Sequence, residues 1–234
     1  LEPGSATNPT QSFKDRGLAV VVAMARHHGI DRLVIPTQGN AGDALAEYGV
    51  AGQVEVAVIM PASTPRPILG RVAANAQLHD HIHLETVSGT IAEAGERMTE
   101  AYLPKGYFNV ATFQEPGWRI EGKKTMGLEL AEPEEPGGSW SVPDVIVYPT
   151  GGGTGLLGMW KAFDELEALG LIGAKRPRMV AVQAEATAPV VEAFEAGREA
   201  RAVEPGETMA TGLNVSSSPG HRDVLEIVRE SGGS

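Results

Sequence analysis

Apolar residues follow two alternating patterns along this chain, one typical of helices and the other of buried strands. In the helical pattern an apolar side chain returns every three or four residues, as at Leu18, Val21, Val22 and Ala25. In the strand pattern a short apolar or alternating run ends at polar or turn-forming residues. Strands are predicted at 32–36, 54–60, 79–84, 107–110, 144–148 and 178–183. Helices are predicted from residue 14 onward and at 44–48, 68–78, 90–102, 117–130, 156–169, 189–196 and 224–229.

The regular alternation of these strands and helices predicts an α/β fold. Strands separated by helices pair in parallel, and the connections between them are right-handed. We therefore expect open parallel sheets, whose ligands bind at the carboxyl ends of the strands. Residues 132–141 are acidic and rich in proline and glycine, so they are expected to form a surface loop.

Composition and charge exclude several classes of protein. The 29 glycines and 16 prolines are too many for a helical bundle but suit an α/β protein with many tight turns. With a net charge of −11 and no basic stripe, we expect no nucleic-acid or membrane partner. The absence of cysteine excludes disulfides and thiolate chemistry. No apolar run could span a bilayer and no signal peptide is visible, so a cytoplasmic location is the default expectation.

The first predicted helix begins at a lysine that follows a turn. Residues 8–17 read Asn-Pro-Thr-Gln-Ser-Phe-Lys-Asp-Arg-Gly, which places Lys14 in the first helical turn. Partial burial and the positive end of the helix dipole both lower the pKa of an ammonium there. They favour the neutral amine that a Schiff-base lysine needs. The alternative is a solvated lysine that pairs with Asp15.

A glycine tract lies between the predicted strand 144–148 and the helix that follows it. It consists of Gly151, Gly152, Gly153, Thr154 and Gly155. Glycines at such a place let successive backbone N–H groups converge on an anion, and the helix N-terminus adds a favourable potential. We interpret the tract as a phosphate cradle; the simpler alternative is a tight turn from strand to helix.

The same tract also fits a dinucleotide site. Residues 153–158 satisfy Gly-x-Gly-x-x-Gly after a strand, and Glu185 closes the next strand, where a nicotinamide enzyme would bind the ribose. This fingerprint lies far into the chain and leaves the motif at Lys14 unexplained. It stays as a minor alternative.

Three histidines alternate in the predicted strand 79–84. His79, His81 and His83 would share one face of that strand, an arrangement that could ligate a metal ion. A strand that runs into a loop tolerates alternating histidines, however, and no carboxylate arrangement accompanies them. We therefore expect no metal site.

Residues 8–17 resemble the lysine motif of the fold-type II pyridoxal-phosphate enzymes, in the form found in threonine synthases. Residues 37–40, which read Thr-Gln-Gly-Asn after the first predicted strand, are similar to the Ser/Thr-x-Gly-Asn loop of the same family. Residues 119–125, Arg-Ile-Glu-Gly-Lys-Lys-Thr, resemble its Arg-x-Glu-Gly-x-Lys-Thr segment. With the glycine tract, these motifs follow the family's order across nearly the whole chain.

The resemblance implies a fold and an assembly. The fold is the tryptophan synthase beta-like α/β fold, with two open parallel-sheet domains and with the chain truncated at both ends. Residues 1–30 and 113–234 would form an incomplete large cofactor domain, and residues 31–112 a small domain. A homodimer is expected for the full-length protein.

The resemblance also implies roles for individual residues, with pyridoxal phosphate as the cofactor. Lys14 would bind the cofactor covalently and act as the base on the substrate's α proton. Phe13 would pack against the pyridine face, Asn40 would meet the ring oxygen, and the glycine tract would hold the phosphate. The substrate, a small amino acid, would be bound by Thr37, Gln38, Gly39 and Arg119.

The implied reaction is an elimination after removal of the α proton, most like the conversion of O-phosphohomoserine to threonine. In that family the arginine at the position of Arg119 helps to hold the substrate phosphate. Ala41 and the pair Phe113-Gln114 depart from the family's pattern and remove phosphate donors. A threonine or serine dehydratase therefore stays open, and so does a non-catalytic relative, although the retained Lys14 speaks against the latter.

Overall fold

The computed structural model describes residues 8–111 and 117–234, and the chain divides into two units, Leu1–Gly122 and Lys123–Ser234. The division into a small domain at 31–112 and a large domain from the flanking segments stays a prediction.

The first unit is built on a sheet of four parallel strands in the order β3-β2-β1-β4. The strands are β1 (Arg32–Pro36), β2 (Glu55–Pro61), β3 (Ile82–Val87) and β4 (Phe108–Asn109). The helices are α1 (Lys14–His27), α2 (Asn40–Gly52), α3 (Arg66–Leu78) and α4 (Ile91–Ala101), with a 3-10 turn at Leu103–Lys105. A fifth helix, α5 (Trp118–Ala131), contains the boundary between the units.

Helices cover both faces of this sheet. Leu33 points to one face and packs in a buried cluster with Leu18 of α1 and Leu45 of α2. Val34 points to the other face and packs in a second cluster with Ala94 of α4. Successive strand residues alternate between faces, so a strand covered on both sides needs a continuous apolar run. That requirement explains the apolar runs of β1 and β2.

The second unit contains a parallel pair of strands, β5 (Val145–Pro149) and β6 (Arg178–Val182). Its further helices are α6 (Thr154–Ala168), α7 (Pro189–Glu195) and α8 (His221–Glu230), with a 3-10 turn at Thr211–Leu213. Helix α8 contacts β6, α6 and α7 through its buried apolar face. None of the helices in the two described ranges is both long and apolar enough to cross a membrane.

Strand β3 begins later than the sequence pattern predicts. Helix α3 continues to Leu78, and the backbone N–H of His79 still donates to the Asn75 carbonyl at 3.0 Å. The chain must then turn before it can pair, so His79 and His81 precede the strand and only His83 lies in it. The predicted face of three histidines is therefore wrong. His83 Nε2 instead lies 3.3 Å from a carboxylate oxygen of Glu55.

Strand β5 is less buried than its apolar run predicts. Ile146 is buried, but Val147 is 63% exposed. Burial alternates along the strand, as it does in a sheet covered on one face, and β6 is its one partner among the described residues. The strand is present as predicted, but the expectation that its apolar run is buried is wrong for Val145 and Val147, because an apolar run reports the residue types and not how many layers cover them.

Candidate active-site residues

The loop before α1 has a defined conformation that presents Lys14. The backbone N–H of Gln11 donates to the Asn8 carbonyl at 2.9 Å, and Asn8 Nδ2 donates to the Ser12 carbonyl at 3.2 Å. Gln11 has a φ of 57°, a left-handed conformation that costs a non-glycine residue about 1 kcal/mol. The loop thus contains a strained residue shortly before the lysine at the start of α1.

The buried carboxylate of Asp15 holds this loop from the helix side. Its two oxygens accept hydrogen bonds from the backbone N–H of Thr10 at 2.8 Å and from the Thr10 hydroxyl at 2.7 Å. The carboxylate therefore faces the loop, which argues against the alternative in which it pairs with Lys14. The Lys14 ammonium lies 4.2 Å from the centre of the Phe13 ring. The two side chains predicted to meet the cofactor ring are thus neighbours.

The Gly-Asn loop forms the start of α2 at the carboxyl end of β1. Thr37 is buried, and its hydroxyl accepts a hydrogen bond from the backbone N–H of Gly39 at 3.2 Å. Helix α2 begins at Asn40, earlier than predicted, because the extended Gly39 serves as its N-cap. The first backbone N–H groups of a helix lack helical acceptors and suit a carboxylate. Gln38 and Asn40 are exposed, so their amides are available to a ligand.

An arginine of α3 ties the lysine loop to α2. Arg71 Nη2 donates to the Pro9 carbonyl at 3.1 Å, and Arg71 Nε lies 3.1 Å from Asp43 Oδ2 in the first turn of α2. Asp43 is buried, and burial is the largest cause of the rise of its pKa to about 6. The loop that carries Lys14 and the helix that carries Asn40 are thus fixed through one side chain.

Helix α5 packs directly on the start of α1 at a glycine. A Cβ on Gly122 would lie 2.1 Å from the Arg16 carbonyl oxygen and 2.7 Å from the Gly17 Cα. Only glycine permits this approach of two backbones. The contact places Gly122, in the motif at residues 119–125, directly against Arg16 and Gly17, in the motif at residues 8–17.

Arg119 lies one turn before Gly122 on α5 and is a buried cation. The residue is 5% exposed, and burial lowers its pKa to about 10. Its Nη1 donates to the Val110 carbonyl at 3.3 Å, but its Nε has no partner among the described residues. A buried guanidinium with so few acceptors is costly unless an anion joins it. Phe113 and Gln114, which depart from the family's pattern, lie outside the described residues.

In the second unit the glycine tract connects β5 to α6, and later residues hold its carbonyls. The Gly151 carbonyl lies 2.9 Å from His221 Nε2, and the Gly152 carbonyl accepts from the Ser218 hydroxyl at 3.1 Å. The first backbone N–H of α6 with a helical acceptor is that of Leu157. The earlier N–H groups have no helical acceptor among the residues that the structure describes, so they suit an anion.

The tract is too closely packed for side chains at three of its glycines. A Cβ added to Gly151 would lie 2.8 Å from the Gly212 carbonyl oxygen. A Cβ on Gly153 would lie 2.5 Å from a Val224 methyl group. A Cβ on Gly155 would lie 1.9 Å from the Tyr148 hydroxyl. Gly153 also has a φ of 94°. Close packing around glycines whose N–H groups lie at the start of a helix fits the phosphate end of a cofactor.

Sequence reasoning found the motif residues but missed the residues that support them. Arg71, Ser218 and His221 gave no local signal, because each acts on a segment that is distant in sequence. Asp43 did give one, since it is an acid among small apolar residues, with a glycine before it and Ala-Leu-Ala after it. The assignment of individual residues to the cofactor and to the substrate stays a prediction.

Curated relatives of this chain include threonine synthases. The threonine synthase of Methanosarcina acetivorans is 33% identical over 227 residues, which are 97% of this chain and 53% of that protein. That of Methanocaldococcus jannaschii is 29% identical over 229 residues, with the same two shares. The chain spans about half the length of these relatives.

Solved structures with a similar fold include a threonine deaminase and a serine racemase. The T.th. threonine deaminase gives a TM-score of 0.72 at 25% identity, over 94% of this chain and 65% of that one. Maize serine racemase gives 0.74 at 19% identity, over 94% and 60%. Residues 5–234 match the family model of pyridoxal-phosphate dependent enzymes. These findings confirm the predicted fold-type II architecture and the predicted cofactor, pyridoxal phosphate. The chain belongs to the family of pyridoxal-phosphate dependent enzymes.

Proposed function

We propose that this chain carries active-site residues of a pyridoxal-phosphate-dependent lyase that is most like threonine synthase. Its substrate would be a small amino acid with a phosphate as leaving group, O-phosphohomoserine. Similarity to two threonine synthases supports this proposal. The dinucleotide interpretation of residues 153–158 is set aside, because the cofactor of the family is pyridoxal phosphate.

The observation that carries the choice of substrate is the environment of Arg119. Its guanidinium is buried and makes one hydrogen bond, to a neutral carbonyl, among the described residues. Leaving a buried charge without a partner costs several kcal/mol. A phosphate supplies both the opposite charge and oxygen acceptors, whereas the hydroxyl of threonine or serine supplies no charge. An anionic leaving group therefore explains the burial of Arg119 better than a neutral one.

Each set of residues proposed for the cofactor suits one of its ends by its own chemistry. Lys14 would bind its aldehyde carbon, with Phe13 and Asn40 against the ring, and the backbone N–H groups of residues 151–155 would hold its phosphate together with the Thr154 hydroxyl. When bound, pyridoxal phosphate supplies the electron sink for the reaction.

The chain's own groups would move the proton and hold the substrate. The Lys14 amine removes the α proton of the substrate, which requires that amine to be neutral at that moment. The backbone N–H groups at the start of α2, with Thr37, Gln38 and Gly39, hold the substrate carboxylate at the positive end of a helix. Arg119 holds the phosphate that leaves.

A threonine or serine dehydratase is the second candidate. What favours it is Ala41, which offers no hydroxyl at the N-terminus of α2, and the similarity in fold to the T.th. threonine deaminase. A homodimer and a cytoplasmic location stay predictions for the full-length protein.

Turnover of alternative substrates by the full-length, cofactor-loaded protein tests the proposal. Phosphate release from O-phosphohomoserine and ammonia release from threonine and serine would be measured side by side. We expect phosphate release, and we expect Arg119→Ala to lower kcat/KM for O-phosphohomoserine roughly 100-fold, because it removes a charged hydrogen-bond donor. The same variant should change ammonia release from serine far less.

The matched control is Arg66→Ala, which removes an exposed arginine at the start of α3 and should leave both activities unchanged. Equal losses of kcat/KM for all substrates in Arg119→Ala would show that Arg119 has a structural role. Ammonia release without any phosphate release in the unmodified protein would select the dehydratase.

A further inference from the structure

Two side chains near the start of α8, that of Ser218 just before the helix and that of His221 as its first residue, bind the carbonyls of the glycine tract. His221 Nε2 lies 2.9 Å from the Gly151 oxygen, and the Ser218 hydroxyl donates to the Gly152 oxygen at 3.1 Å. These contacts join residues 70 and 66 positions apart in sequence. Both partners belong to the second unit, as does the tract.

The proton that each side chain donates can be assigned to a particular atom. A carbonyl oxygen can only accept, so the Nε2 of His221 carries the proton in this contact. The imidazole is 3% exposed, and burial lowers its pKa, which keeps it in the neutral form with a single N–H. The Ser218 oxygen accepts a hydrogen bond from the backbone N–H of Gly220 at 3.2 Å, which leaves its proton for Gly152.

The contacts fix the directions of two backbone N–H groups. The carbonyl of Gly151 shares a planar trans peptide with the N–H of Gly152, and the carbonyl of Gly152 shares one with the N–H of Gly153. In a trans peptide the C=O and the N–H point in opposite directions. Carbonyls directed at His221 and Ser218 therefore direct the N–H groups of Gly152 and Gly153 to the opposite side.

Helix α8 and the 3-10 turn at Thr211–Leu213 also support the tract by packing. One turn further along α8, a methyl group of Val224 occupies the space in which a Cβ of Gly153 would lie, at 2.5 Å. The Gly212 carbonyl oxygen likewise lies 2.8 Å from the place that a Cβ of Gly151 would take. The tract thus has a wall of backbone and apolar groups behind it, and the two hydrogen bonds set its orientation against that wall.

We propose that His221 and Ser218 are positioning residues that hold the N–H groups of Gly152 and Gly153 in the orientation that binds the cofactor phosphate. This proposal rests on the assignment of the glycine tract to that phosphate. Neither residue touches the cofactor in this scheme; each acts through a peptide group. A preformed cradle binds its anion without reorganising, which is the source of its affinity.

A comparison of pyridoxal phosphate with pyridoxal, which lacks the phosphate, isolates the contribution of the glycine tract to the binding of the phosphate. The dissociation constants of both compounds would be measured by absorbance titration of the full-length apoprotein. In His221→Leu, which removes the donor, we expect the dissociation constant of pyridoxal phosphate to rise about tenfold and that of pyridoxal to rise less than about twofold. In His221→Gln, which restores an amide donor, most of the affinity for pyridoxal phosphate should return.

Two further variants keep the test decisive if a substitution at the buried His221 impairs folding. Ser218→Ala removes the second donor with little change in volume, and Ser218→Thr retains it. Arg222→Ala is the matched control, since Arg222 is the exposed neighbour of His221 in α8. Thermal unfolding of each apoprotein shows whether the variant folds.

Different outcomes would overturn the positioning role of His221 and Ser218, the assignment of the glycine tract to the phosphate, or the proposed function. An equal loss of affinity for both compounds, or no loss in the variants that lack a donor, would overturn the positioning role. An unmodified protein that binds pyridoxal as tightly as pyridoxal phosphate would overturn the assignment of the tract itself. An unmodified protein that binds neither compound would overturn the proposed function as well.

Discussion

At the scale of single residues, Asp43 combines deep burial with incomplete pairing. Its side chain is 4% exposed; Oδ2 pairs with Arg71, while Oδ1 has no partner among the described residues. Burial raises its pKa to about 6, with Arg71 opposing that rise and with Asp15 and Glu47 adding to it. The folded chain therefore retains this proton at pH values where the unfolded chain has already lost it.

The pH dependence of stability tests this description through Asp43→Asn. Because the folded pKa is raised from 3.8 to about 6, the stability that Asp43 contributes is fully present below pH 3.8 and is lost as the pH rises through 6. At pH 7 the ionised group costs on the order of 3 kcal/mol. Asp43→Asn should therefore raise the free energy of unfolding at pH 7 and flatten its decline across this window.

Urea unfolding of the apoprotein between pH 4 and pH 7 measures the effect. Asp31→Asn, at an exposed residue directly before β1, is the control and should leave the slope unchanged. The same decline in both variants would remove Asp43 as its source. Sequence could single out Asp43 as an acid beside a short apolar run, but not its burial against Arg71, because no local pattern links α2 to α3.

At the scale of elements, the contact between α1 and α5 depends on the absence of a side chain at Gly122. The close atoms are backbone atoms of Arg16 and Gly17, which cannot rotate away as a side chain would. Arg119 lies one turn earlier on the same face of α5. The position of α5 along α1 therefore determines where Arg119 lies.

Gly122→Ala should separate these two helices. We expect a loss of about 1–3 kcal/mol in the free energy of unfolding, because the added methyl would overlap the backbone of α1. We also expect a higher KM for O-phosphohomoserine, because Arg119 would move with α5. Gly95→Ala in α4 is the control: its Cβ would meet nothing within 4 Å, so a gain of about 0.5–1 kcal/mol is expected. Equal stabilities for the two variants would contradict the close contact.

Most elements of the fold were predictable, whereas their ends were not. The period of the apolar residues reports the type of element, and it correctly located the strands β1 and β2 and the helices α1 and α4. The ends depend on caps and on pairing. The extended Gly39 starts α2 before its apolar pattern begins, and the turn after Leu78 delays β3 beyond His79.

At the scale of the whole molecule, the two units contain different parts of the motif set. Lys14, the Gly-Asn loop and Arg119 belong to the first unit, and the glycine tract belongs to the second. The motifs themselves were predictable, because each is short and carries its own chemistry. Their supports were not, because Arg71, Ser218 and His221 become partners of the motifs only after folding.

The central assignment is tested in the full-length protein by Lys14→Ala. We expect this variant to lose the visible absorbance band that borohydride reduces, because the proposed covalent link to the cofactor needs the Lys14 amine. Lys175→Ala removes an exposed lysine that pairs with Asp144, and it should keep the band. Peptide mapping after reduction should place the adduct on Lys14. A reducible band that survives in Lys14→Ala would transfer the role to another lysine.

The hydrogen bonds from Ser218 and His221 to the glycine tract also have a consequence for the order of folding. A ribosome would release the tract well before it has made its partners, which follow 66 and 70 residues later. Until then the N–H groups of the tract have no fixed direction, and closing so long a loop slows the step that gives them one. We therefore expect a nascent chain to gain affinity for the cofactor phosphate only once α8 has emerged.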